Sequence, residues 1–157
     1  MKRSMRKVDL IVIALSSPIL IGVYENSNLI QTLSSEERSS DFLPSVFAEL
    51  LEKYDISSVT YANGPGSFMA IKVTYLFLQT LHVTNEIEVL AALGFTFNKN
   101  SPIKAMGKLY FHLIDGEIVI KALEEETKLE AMNLPALYEK EKYSTDNAPN
   151  YVLPAVN

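Results

Sequence analysis

The chain has 157 residues, no cysteine and two histidines, His82 and His112. The missing thiols exclude disulfides, thiolate metal sites and a cysteine nucleophile, and two isolated imidazoles do not make a metal centre. A thiol-free chain also suits a reducing compartment, and a cytoplasmic location is expected. A basic surplus is absent too: 14 Lys and Arg stand against 19 Asp and Glu, a formal net charge of −5. Generic nucleic-acid binders carry a basic face that displaces counterions from phosphates, so that class is disfavoured, although a local basic patch fits the balance. No apolar run reaches the roughly 20 residues of a membrane-spanning helix, and no membrane contact is expected. No Gly-Lys-Ser/Thr follows a glycine turn, which excludes that type of phosphate loop, and the glycines lack the spacing of a dinucleotide fingerprint.

What the chain does have is a hydrophobic content of 48%, enough to bury a real core in one domain or in two small lobes. Lys2, Arg3, Arg6 and Lys7 precede an apolar stretch over 10–23, the layout of a secretory signal with Ala14-Leu15-Ser16-Ser17 as a cleavage site. Asp9 at the mouth of that stretch and Pro18 inside it fit two adjoining strands better, so the N-terminus is expected to be retained. Residues 8–15, rich in Ile, Leu and Val, read as a strand buried on both faces, and 19–25 as a second strand. The Asn26-Ser27-Asn28 turn leads to an antiparallel third strand over 29–33. After a polar stretch, Ser40 or Asp41 can cap a helix with Pro44 in its first turns. Phe42, Val46, Leu50 and Tyr54 recur every four residues, with Leu43, Phe47 and Leu51 as a second row.

The stretch Asn63-Gly64-Pro65-Gly66-Ser67-Phe68 joins a short strand over 58–62 to an almost wholly apolar helix over 69–82. Gly64 and Gly66 permit positive φ or close backbone approach, Pro65 fixes one φ, and Ser67 can cap the helix. Such a turn is either a tight structural connection or a site for an anion or a partner backbone. The helix after it is apolar around most of its circumference, so it is either a central core helix or packed between a sheet and a partner. Further on, 86–93 reads as a short helix, and 98–102 as a boundary between lobes. Strands follow over 103–106, 108–115 and 117–123, the last two joined by Asp115-Gly116, a strong hairpin signal. Glu124, Glu125, Glu126 and Glu130 read as a solvated helix face rather than a metal site, and 149–154 as an added edge strand.

The glycine stretch resembles the Gly-Pro-Gly-Ser-Phe-Thr-Gly-Leu-Arg-Ile signature of the TsaB (YeaZ) family, non-catalytic actin-like subunits of the machinery that makes threonylcarbamoyladenosine in tRNA. The match runs through Gly64, Pro65, Gly66, Ser67 and Phe68, with Met69 and Ala70 in place of Thr-Gly and Lys72 in place of Arg. A second motif, Ser40-Asp41-Phe42-Leu43-Pro44-Ser45-Val46, resembles the family's Ser-Glu-x-Leu-Leu-Pro-Leu element. The resemblance covers residues 8 to about 110 and implies an α/β actin-like, ribonuclease-H-like fold: a first lobe over 1–98 and a reduced second lobe over 99–157. It implies that the two helices form a subunit interface, with Phe42, Leu43, Val46, Phe47, Leu50, Met69, Val73, Leu76 and Phe77 as candidate partner-binding residues. The partners it implies are a homologous TsaD-type catalytic subunit and a TsaE-type ATPase, a homodimer being a further option. On that view tRNA is met only through the complex, and ATP and metal belong to the other subunits. Ala14-Leu15-Ser16 stands where the family has Asp-Thr-Ser, so the carboxylate that helps hold metal-bound nucleotide in actin-like ATPases is missing.

Catalysis by the chain alone has little to draw on. Glu25, Asp41, Asp55, Glu88, His82 and His112 are present, but no pair has the spacing of a nucleophile with its base or of a metal triad. A peptidase would need Ser67 activated by a histidine whose position the sequence does not supply. Three functions therefore compete: an accessory subunit, an actin-like homodimer that binds nucleotide without hydrolysing it, and, least favoured, a peptidase-like enzyme.

Overall fold

A computed structural model describes residues 5–152. β1 (Arg6–Ile13) and β2 (Ile19–Glu25) pair antiparallel, and β3 (Asn28–Ser35) returns beside β2. The apolar stretch that imitates a secretory signal is thus two neighbouring strands. The helix α1 (Ser39–Lys53) then crosses to β4 (Tyr54–Ala62), which lies parallel to β1. The glycine turn leads into α2 (Phe68–Asn85) and so to β5 (Glu88–Ala92), parallel to β4. The sheet order is β3-β2-β1-β4-β5, a mixed sheet in an α/β fold. Parallel neighbours need a crossover, and α1 and α2 supply both.

Side-chain alternation divides the core. Val8, Leu10 and Val12 of β1, with Ile21 of β2 and Val59 of β4, face Leu43, Val46, Phe47 and Leu50 of α1 and Leu78 and Leu81 of α2. Ile11, Ile13 and Tyr24 point the other way, into a cluster with Phe97 and Tyr138. Among the described residues the helices reach that second face only through Ile71, in the first turns of α2, and Phe97. A 3-10 turn (Gly94–Phe97) leads to a small antiparallel sheet of β6 (Ile103–Lys104), β7 (Leu109–Ile114) and β8 (Glu117–Ala122). The chain then returns as an extended strap.

The strap crosses the first sheet from one edge to the other. The Tyr24 hydroxyl donates to the Pro135 carbonyl at 2.7 Å, the Leu29 amide to the Ala136 carbonyl and the Tyr138 amide to the Ser27 carbonyl. The Tyr138 hydroxyl reaches Ser58 and Thr60 of the central β4 at 2.9 and 2.7 Å. Ser144 then pairs with Ala91 on the outer edge of β5. That contact covers an edge that would otherwise invite another strand.

Several expectations are corrected. Residues 88–92 are a strand, not a helix: Val89, Leu90 and Ala91 are buried, so no alternation marks the strand. α1 begins at Ser39 with Arg38 as an N-cap that makes no side-chain bond, so neither Ser40 nor Asp41 caps it. Tyr54 does not belong to the helical stripe; it opens β4, its hydroxyl donating to Gln31 at 3.0 Å. The glutamate run forms a turn instead of a helix, and residues 149–152 join no ladder, while 153 and 154 lie outside the described residues. The Asp115-Gly116 hairpin forms where expected, both residues at positive φ.

Candidate functional site

Gly64 and Gly66 are each needed for a different reason. Gly64 has φ +136, which L side chains rarely adopt, and a Cβ there would fall on the carbonyl oxygen of Asn150. Gly66 lies against Leu15, where a Cβ would come within 3.2 Å of the Leu15 Cβ. The close backbone approach that Gly64 permits is made by Asn150 of the chain's own later segment, and that at Gly66 by Leu15. Ser67 is the N-cap of α2, its hydroxyl accepting from the Ala70 amide at 3.4 Å. Neither histidine bonds Ser67: His82 Nδ1 meets the Ile87 carbonyl at 2.8 Å and His112 Nε2 the Lys121 carbonyl at 3.2 Å.

From this turn α2 runs across the helix side of the sheet with two unlike faces. Ile71, Thr74, Leu78 and Leu81 are buried. On the opposite side Phe68, Met69, Leu76 and Val83 are 49%, 65%, 53% and 78% exposed, a large apolar display for one helix. Met69, Leu76 and Val83 recur every seven residues, with the half-buried Val73 between the first two. Spacings of three and four in alternation form the narrow seam by which one helix packs along another, and here the exposed Thr80 interrupts it between Leu76 and Val83. The open side of α2 settles the choice left by its all-round apolar character: it is not a central core helix.

The candidate partner residues are split by this arrangement. Leu43, Val46, Phe47 and Leu50 are buried in the core of the chain. Phe42, Val73 and Phe77 are half-buried, Phe77 packing edge-on against Phe47 with ring centroids 5.3 Å apart. Met69 and Leu76 stand open to solvent. Val83 belongs with them but was not among the candidates, because the expected helix stopped at residue 82; its place seven residues after Leu76 was the available signal. A cavity of about 520 Å³ adjoins the seam, lined by Leu15, Ser16, Arg38, Ser39, Met69 and Val73 among others. It sits where the β1–β2 turn meets the first turns of α1 and α2.

No protein-family model matches the sequence, and no curated protein matches it either. Solved structures do match. YeaZ from Pseudomonas aeruginosa superimposes with a TM-score of 0.56 at 13% identity, over 74% of this chain and 65% of that one. The fold is that of YeaZ. An uncharacterised protein with similarity to peptidase YeaZ from Pseudomonas aeruginosa gives a TM-score of 0.53 at 14% identity, over 74% and 64% of the two chains. The chain thus spans slightly under two thirds of the length of these neighbours. Among the described residues no helix is long and apolar enough to cross a membrane.

Proposed function

We propose that this chain is a non-catalytic accessory subunit of the YeaZ/TsaB type, supporting a homologous TsaD-type catalytic subunit in the formation of threonylcarbamoyladenosine in tRNA. The observation that carries the proposal is the exposed seam Met69, Leu76 and Val83 on α2, next to a glycine turn with the family's sequence, in a chain with the YeaZ fold. An apolar helix seam is matched by a helix on the partner, and an actin-like subunit built on the same plan presents one. Binding there would act by stabilising the competent conformation of the partner. ATP and metal would be held by the partner subunits, a TsaE-type ATPase among them, and the assembly would work in the cytoplasm. The test is reconstitution: the TsaD-type subunit is assayed for modified adenosine in tRNA with and without this chain. Modification that depends on the chain supports the role, and equal modification without it rejects the role.

The cavity at the β1–β2 turn favours a second reading, an actin-like homodimer that binds nucleotide. Titration of the isolated chain with ATP and ADP separates the two, since the accessory role requires no nucleotide on this subunit.

A further inference from the structure

The end of the described chain is tied to the start of the docking helix. Asn147 is held three ways: its Nδ2 donates to the Val89 carbonyl at 2.9 Å, its Oδ1 accepts from Gln79 at 3.2 Å, and its carbonyl accepts from the Tyr61 hydroxyl at 2.7 Å. Asn63 Nδ2 then donates to the Ala148 carbonyl at 2.9 Å, and the Asn150 amide donates to the Asn63 carbonyl at 2.8 Å. Next, the Tyr151 ring lies on the ring of Phe68, with centroids 4.3 Å apart and planes 31° from parallel. An open depression of about 460 Å³ adjoins this run, bordered by Asn63, Leu93, Asp146 and Tyr151. The segment is held by specific contacts at 147, 148, 150 and 151.

Phe68 is the first residue of α2, and Met69, the first residue of the seam, follows it. The first turn of a helix is where amides lack intrahelical acceptors and where fraying begins. Here the Ser67 cap is a long one, and Phe68 is half exposed even with Tyr151 on it. We propose that residues 147–152 are a latch that holds the first turn of α2 in place, and that Tyr151, with Phe68, extends the docking face past the end of the helix. The second half of the proposal rests on the docking function above. A partner meeting a latched turn does not have to order it, whereas a frayed turn charges that ordering against affinity.

The test uses the full chain as wild type, Tyr151→Ala and Tyr151→Phe, with hydrogen exchange on each chain alone and affinity for the TsaD-type subunit measured in parallel. In Tyr151→Ala the amides of residues 69–72 should exchange at least severalfold faster, with those of β1 unchanged, and affinity should fall roughly fivefold, the scale of one lost aromatic pair. Tyr151→Phe keeps the ring and should keep both properties. Unchanged exchange in Tyr151→Ala overturns the latch. Faster exchange with undiminished affinity, in a chain whose wild type binds, overturns the extended face. If the wild type does not bind at all, the docking function and the extended face both fall, and the exchange result alone decides the latch.

Discussion

Asp9 gives direction to a hydrogen-bond chain that ends in the middle of the molecule. The Ser58 hydroxyl donates to Asp9 at 2.6 Å, so its oxygen is left to accept from Tyr138 at 2.9 Å, and Tyr138 in turn accepts from Thr60 at 2.7 Å. Every proton in the chain is thereby committed, and the Tyr138 phenol fixes the strap to the middle of β4. Tyr138→Phe would leave Ser58 and Thr60, both fully buried, without that partner, at a cost of about 1–3 kcal/mol measurable by denaturant unfolding. Burial pushes the Tyr138 phenol up to about 12 and raises Tyr24 and Tyr61 as well. Free tyrosine titrates near ~10, so these groups bind their protons more tightly folded than unfolded. Their contribution is complete below pH ~10 and is lost as pH rises through the folded values. Melting temperature should therefore drop between pH ~10 and ~12, while the absorbance of buried tyrosinate stays delayed until the protein unfolds. A flat melting temperature across that range would contradict the role given to the three phenols.

Among the elements, the two helices differ in what a charge would do to them. Val46 and Leu50 lie in the core, and an unpaired charge at either costs more than ~3 kcal/mol, a large part of the ~5–15 kcal/mol that holds a domain together. Val46→Glu and Leu50→Glu should melt the chain at ordinary temperatures, as followed by circular dichroism. Met69→Glu and Leu76→Glu point into water and should shift stability by no more than about 0.5 kcal/mol. At the start of α1, Arg38 is an extended N-cap with no side-chain bond and a charge that opposes the helix dipole. Arg38→Asp supplies both a cap and the favourable sign, and should raise stability by about 1 kcal/mol in thermal melts. Legibility in the sequence follows the same physics. β1 and β2 show as β-branched runs parted by Pro18, β3 follows a strong turn, α1 carries a four-residue repeat, and Gly64 announces its turn. β5 is buried on both sides and carries no period, so Val89 to Ala91 pass equally well for a helix. For α2 the buried and open faces are equally apolar, and only the packed sheet tells Leu78 from Leu76. The strap was illegible because Tyr138 and Asn147 act singly, each through contacts with residues more than 50 positions away.

At the scale of the whole molecule, the chain matches the YeaZ fold over 74% of its length and spans slightly under two thirds of the length of its neighbours. A three-stranded sheet follows the first, and the strap, through Tyr138, packs with Phe97 and with Ile71 of α2 on the face of the first sheet turned away from α1. The open side of α2, with Met69, Leu76 and Val83, is a surface with apolar area to spare. The account stands or falls on that surface. Its most direct test is isothermal titration of the TsaD-type subunit with wild-type chain and with Leu76→Glu, each shown by circular dichroism to be folded. Leu76 lies mid-seam, and burying an unpaired charge there should weaken binding by well over tenfold, since each ~1.4 kcal/mol is a factor of ten. A folded Leu76→Glu that binds as tightly as the wild type would contradict the account and place the partner surface elsewhere.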